Sequence, residues 1–173
     1  MEADSKKYIR VINKAVITDA NILIDYCTIN KKILKIFASV YEVYVPLPVL
    51  AEVDNLTEKE ALRLGIKVLD TSFEDLTLAA SFDLGCSLQD KICYVTAKNE
   101  NYICATNDNK LRKECVKSGI EVLWGLEMML ILVKNKHLSK KEAIDTAEKI
   151  GECNKQISKK IIEEFGRLVK MLR

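Results

Sequence analysis

The sequence predicts a three-layer α/β/α sandwich around a mostly parallel five-stranded sheet, with a helical extension at its C-terminal end. Two observations carry that fold class. Short apolar runs alternate with longer helix-like segments along the first two thirds of the chain, and few hairpin turns join one run to the next. Parallel strands need crossover connections rather than tight turns, so this alternation implies helices on both faces of one sheet. The chain's 173 residues, 49% hydrophobic and 30% charged with a net charge of +2, suit a single globular domain with a real core.

Five runs read as strands: residues 15–18, 43–45, 66–69, 102–105 and 120–123. Between them lie helix-like segments at 31–39, 48–55, 58–64, 73–82, 88–98 and 110–118. Their boundaries carry chemical signatures. Thr57 and Glu60 have capping-box spacing, Pro48 suits a first helical position, and Gly65 and Gly119 can take the left-handed conformation that ends a helix. After Leu123 only helices follow: 126–133, a segment opened by a Ser139/Glu142 capping box and running to about Glu152, and 159–172 capped by Ser158. Residues 1–133 thus read as the α/β domain and 134–173 as an extension packed on it. The apolar stripes Ile144, Ala147, Ile150 and Ile161, Ile162, Phe165, Leu168, Val169 would cover the domain's own sheet; docking a partner is the alternative.

Several function classes drop out on composition. No stretch approaches the roughly 20 apolar residues of a membrane helix, and Met1 to Lys7 lacks the apolar segment of a signal peptide, so a cytoplasmic protein is expected. Cys27, Cys86, Cys93, Cys104, Cys115 and Cys153 show no C-x-x-C spacing and read as reduced, mostly as small buried hydrophobes. His137 is the only histidine, which rules out acid-base chemistry by a histidine pair. Residues 134–173 carry 11 basic and six acidic side chains against 16 and 19 in the rest. Such a basic tail suits either a phosphate-facing surface or a solvated lysine-rich helix.

Catalysis is therefore left to carboxylates and metal. Ligands of open α/β sheets bind beyond the strands' carboxyl ends. There Asp19 follows the first strand and Asp108 the fourth, and both would open into one crevice if those strands are neighbours. Glu52, in an apolar helical turn after Pro48, and Asp90, in the first turn of the 88–98 helix, lie near helix starts that point toward the same edge. Four converging carboxylates repel one another unless a cation sits among them. All-oxygen ligands suit magnesium or manganese, ions that bind phosphate oxygens and support phosphodiester hydrolysis. Each acid also has a plainer reading: Asp90 as the partner of Ser87 in a capping box, Asp19 as a helix cap, Asp108 as a turn residue, and Glu52 as the partner of Lys59 or Arg63. Asp25, Glu58, Asp75 and Glu114 fit solvated faces and caps.

The strings Asp19-Ala20-Asn21-Ile22-Leu23-Ile24, the Glu52 segment, Ser87-Leu88-Gln89-Asp90, and residues 105–112 from Ala105 to Arg112 together resemble the PIN-domain ribonucleases, over roughly Val16 to Leu123. The resemblance implies that Asp19, Glu52, Asp90 and Asp108 hold magnesium or manganese and are the catalytic acids. It implies accessory roles for Asn21 and Thr106 in orienting metal, water or phosphate. It also implies an RNA substrate. Small single-domain members of the family are often toxins of the VapC type, blocked by an antitoxin and forming homodimers. An RNA-processing enzyme of the same fold would read almost identically, and a non-catalytic PIN-like module that binds RNA or protein is the alternative from another class. A haloacid dehalogenase-like phosphatase needs an aspartate where Asn21 stands. A receiver domain could use Asp70 but lacks paired acids near the first strand, and a nucleotide-binding module lacks its glycine-rich loop.

Overall fold

The computed structural model describes residues 11–172. Strands β1 (Val16–Thr18), β2 (Val43–Pro46), β3 (Ile66–Leu69), β4 (Ile103–Ala105) and β5 (Val122–Leu123) form one sheet in the order β3-β2-β1-β4-β5, parallel at every pairing. Helices α1 (Ala20–Ile29) and α2 (Lys31–Val40) join β1 to β2, and α3 (Leu47–Leu50) and α4 (Glu58–Leu64) join β2 to β3. The long return from β3 to β4 carries α5 (Phe73–Ser81) and α6 (Leu88–Glu100), and α7 (Asn109–Lys117) leads into β5. Three helices follow: α8 (Gly125–Lys134), α9 (Lys140–Cys153) and α10 (Lys159–Met171).

The strand order dictates the layers. From β1 the chain steps outward through β2 to β3, then crosses back over β1 to β4 and β5. Right-handed crossovers place helices of the first excursion on one face and those of the second on the other. Packing agrees: α6 lies against β1 and β4, α7 against α6 and β5, while α1 meets α2 and α9, and α8 meets α2, α9 and α10. The sandwich has three layers. Covered on both sides, β1 and β4 are buried at every residue, whereas only Ile66 of edge strand β3 is fully buried. One apolar core joins Ile17, Leu23, Phe37, Ile103 and Met129 to Ala143, Ile150, Phe165 and Val169 of the C-terminal helices. Those helices therefore cover α1 and α8 rather than the sheet itself.

The end signals act as expected at several places. Thr57 and Glu60 form the reciprocal capping box, Gly65 closes α4 at φ +89°, and Gly119 follows α7 at φ +72°. Three details differ from the sequence reading. The segment 48–55 is helical only over Leu47–Leu50 and then continues as turns, although Val49, Leu50, Val53 and Leu56 keep the spacing of one helical face and all are buried. Residues 20–29, implied as a helix only by the alternative of Asp19 as a helix cap, form α1; its isoleucines and Thr28 weaken intrinsic propensity, and burial of Ile22, Leu23 and Tyr26 outweighs that. Ser139 accepts from the Glu142 N–H, but the Glu142 carboxylate turns away from a reciprocal box to meet Asn30 and Lys32 at 3.5 and 3.4 Å.

All six cysteines are free; Cys93, Cys104 and Cys115 are buried, and Cys153 is exposed. Among the described residues no helix is long and apolar enough to cross a membrane. At Gly65 an added Cβ meets the Ala38 Cβ at 3.3 Å in a left-handed backbone that L side chains resist. Gly65→Ala is expected to lower unfolding free energy by about 1–2 kcal/mol, read from urea denaturation. Unchanged or increased stability would show that α4 closes by another route.

Candidate functional site

The sheet reverses direction between β1 and β4, where the chain leaves neighbouring strands toward opposite faces and opens a crevice at their carboxyl ends. The hydrogen-bond ladder runs one residue past both strands: Asp19 N–H donates to the Ala105 carbonyl at 3.0 Å, and Thr106 N–H to the Leu123 carbonyl at 2.9 Å. Asp19 and Thr106 thus stand side by side. The Thr106 hydroxyl donates to Asp19 Oδ2 at 2.5 Å and accepts the Asp108 N–H at 3.0 Å. Asp19 Oδ1 accepts the Ile22 N–H at 3.0 Å, which caps α1.

Asp19 and Asp90 take the capping roles of their plainer readings, and Asp108, read there as a turn residue, is an N-cap as well. Asp90 Oδ2 accepts from the Ser87 N–H and hydroxyl while Ser87 Oγ accepts the Asp90 N–H. Asp108 Oδ1 accepts the Leu111 N–H at 2.7 Å at the start of α7. Capping fixes these side chains without exhausting them: among the described residues Asp90 Oδ1 and Asp108 Oδ2 have no hydrogen-bond partner. The Cys93 thiol, 3.6 Å from the Thr18 carbonyl, holds α6 against the end of β1. Helices α1, α6 and α7 accordingly begin around one edge, each with an acid in or before its first turn.

Asp19 is 1% exposed. Burial pushes its carboxyl up to about 7; the hydrogen bonds from Thr106 and Ile22 pull it down, and the charges of Asp90 and Asp108 push it up again. Burial and the Asp90 charge also raise Glu52. Burial, then Asp90 and Asp108, take the Cys86 thiol up to about 11. These couplings join Asp19 to Asp90 and Asp108, and Asp90 to Glu52. Among the described residues none of the four acids lies within ion-pairing distance of a lysine or arginine.

The convergence is incomplete. No three Asp, Glu, His or Cys side chains among the described residues stand close enough to hold a metal ion as they are. Glu52, expected in a largely buried helix, sits exposed on the turn after α3, where it lines a shallow hollow with Ile24 and Cys27 that includes none of the other three acids. Asn21 is exposed on the first turn of α1, whereas Thr106 is wholly buried against Asp19. The donor chemistry, all oxygen and without protein counter-charge, fits a hard divalent cation; the side-chain positions form an electrostatically coupled set rather than a finished cage.

Two groups near the site were missed in the sequence. Asp25, read as a solvated-face acid, is half-buried: both its oxygens accept from Asn154 Nδ2 at 3.0 Å, and Oδ2 accepts from Asn107 Nδ2 at 3.4 Å. Asn107 Oδ1 in turn accepts the Gly125 N–H at 3.0 Å, with so close an approach that a Cβ on Gly125 would lie 3.0 Å from Asn107 Nδ2. This seam ties the end of α9 to the loop that carries Asp108. The signal was the spacing of Ile22, Asp25, Tyr26 and Ile29, an inward stripe of α1. The second group is Arg112, quoted only within a motif, whose guanidinium carbon lies 3.5 Å from the centroid of Trp124.

No protein-family model matches the chain, and no curated protein matches it.

The raised Asp19 carboxyl fixes a sign. A carboxyl near 3.8 when unfolded and about 7 when folded binds more protons in the folded state between those values, so its ionisation costs stability as pH rises through that window. Without metal, Asp19→Asn is expected to melt higher than wild type at pH 8 and to lose most of that advantage by pH 4. Thermal melts at the two pH values check this. A melting difference independent of pH would contradict the burial of a titrating Asp19.

Proposed function

We propose that the chain is a metal-dependent endoribonuclease of the PIN-domain type, hydrolysing RNA phosphodiester bonds with magnesium or manganese held by Asp19, Asp90 and Asp108, with Glu52 at the rim. The observation that carries this reading is Asp19: a buried carboxylate at the reversal point of the sheet, within the field of two more acids and paired with no cation of the protein's own. A purely structural cap gains nothing from that surrounding charge, since like charges nearby only destabilise it. A divalent ion supplies the missing positive charge, which polarises water and stabilises charge developing on phosphate oxygens.

The chain's own residues have separate tasks in this reading. Thr106 fixes Asp19 through its hydroxyl and Asp108 through its backbone, so one side chain sets the spacing of two acids. The capping bonds of Asp90 and Asp108 orient each carboxylate while leaving one oxygen for a ligand. Asp19, whose carboxyl burial raises to about 7, would have to be ionised to hold a cation. Attack by the ribose 2′-hydroxyl through a pair of histidines is ruled out, because the chain has a single histidine, His137. A toxin restrained by an antitoxin, and a homodimer, are the biological setting that the resemblance implies.

The test is cleavage of single-stranded RNA by purified protein with magnesium, manganese or chelator. The expected products carry 5′-phosphate and 3′-hydroxyl ends, with activity rising from pH 6 to 8 as Asp19 ionises. Asp19→Asn and Asp108→Asn are each expected to lower the rate about a hundredfold or more, as for loss of a major electrostatic group. A 2′,3′-cyclic phosphate product, or full activity of Asp19→Asn in excess chelator, would refute this mechanism.

A further inference from the structure

We infer that Arg112 and Trp124 form a subsite for one unpaired nucleotide of the RNA, taking its phosphate on the guanidinium and its base on the indole; this rests on the ribonuclease reading above. Both residues belong to the same edge as the acids. Arg112 lies one turn into α7, four residues beyond Asp108, and Trp124 directly follows β5, the strand beside β4. The guanidinium carbon stands 3.5 Å from the ring centroid, so the two planar groups form one platform. A guanidinium stacked this way keeps its in-plane N–H groups free for an anion.

Three observations say that the platform awaits a ligand. Arg112 Nη1 has no hydrogen-bond acceptor among the described residues, and its own surface is closed to solvent. A phosphate oxygen would bind the edge of the guanidinium and reach Nη1 only as the side chain shifts, supplying an acceptor for a group whose N–H bonds otherwise go unmade at a cost. Trp124 remains 37% exposed, so part of its ring is open to a base. Finally, burial works against the Arg112 charge, and Glu127 and then Asp108 partly offset it, so the guanidinium lies within reach of the Asp108 charge without a direct ion pair to it. A cation beside a cluster of carboxylates sorts a polyanion: it draws the backbone toward an edge that would otherwise repel it.

The preference for unpaired nucleotides follows from the indole. A base can stack on an aromatic face only when it has left its own helical stack, and such stacking is tolerant of base identity. Duplex RNA offers phosphates to Arg112 but no free base face to Trp124. The subsite therefore discriminates by strandedness rather than by sequence.

Trp124 supplies its own readout, because no other tryptophan contributes to the fluorescence. In chelator, so that nothing is cleaved, the protein is titrated with a dye-labelled single-stranded RNA of about ten nucleotides, and separately with the matching duplex. Strand anisotropy reports total binding, and Trp124 emission reports occupancy of the subsite. Saturable quenching by the single strand, little quenching by the duplex, and a roughly tenfold rise in Kd for Arg112→Lys and for Trp124→Leu are expected. Trp124→Phe, a smaller change that keeps an aromatic face, is expected to restore most of the affinity. Saturation of anisotropy without quenching, equal quenching by duplex, or unchanged affinity in Arg112→Lys would overturn the subsite. Failure of the ribonuclease reading looks different: no cleavage with metal, yet quenching intact.

Discussion

A carboxylate out of water, at the one place where the sheet reverses, is the constraint around which this molecule is arranged. Asp19 lies there because β1 and β4 pair in parallel and the chain leaves them in opposite directions. Every contact it makes limits the cost of its burial: one oxygen meets the backbone of α1, and the other meets the hydroxyl of Thr106. Those bonds do not offset the loss of solvent, so its carboxyl stays well above the ordinary range. Placing Asp90 and Asp108 nearby adds repulsion that a protein selected for stability alone has no reason to keep.

The surrounding elements serve that arrangement. Three helices open around the crevice, and their first turns offer N–H groups that hold the acids in fixed orientations. Buried Cys93 keeps α6 close to the end of β1, and its neutral thiol adds no charge to a crowded place. Farther out, the Asn154–Asp25–Asn107 seam couples the last turn of α9 to the loop between Thr106 and Asp108. The C-terminal helices thus reach the site's geometry although they supply none of its four acids. Their apolar residues join the same core as the sheet.

Much of this was legible in the residues, for identifiable reasons. Strand positions showed because fully covered parallel strands are continuous apolar runs such as Val16-Ile17-Thr18 and Ile103-Cys104-Ala105. Helix starts showed because Ser87, Thr57 and Ser158 carry capping chemistry. Asp19 and Asp108 could be placed at the carboxyl ends of their strands, but that they share one crevice rests on the β1–β4 pairing, which the residues left open. Helix α1 showed only through the alternative of Asp19 as a helix cap, since tertiary burial of Ile22, Leu23 and Tyr26 overrides the weak propensity of its isoleucines. The exposure of Glu52 did not show, because it depends on where a single helical turn stops. The pairing of Arg112 with Trp124 joins residues from two connections and has no periodic signature at all.

The central claim is that the coupled acids are completed by a divalent cation. Calorimetric titration of the protein with manganese at pH 7, repeated in two buffers of different ionisation heat, measures binding and proton release together. One site whose occupation releases protons is expected, because burial raises the Asp19 carboxyl and it must ionise to meet the ion, and Asp19→Asn should abolish the release and weaken binding. Binding of manganese with no proton release, or with equal affinity in Asp19→Asn, would contradict the account.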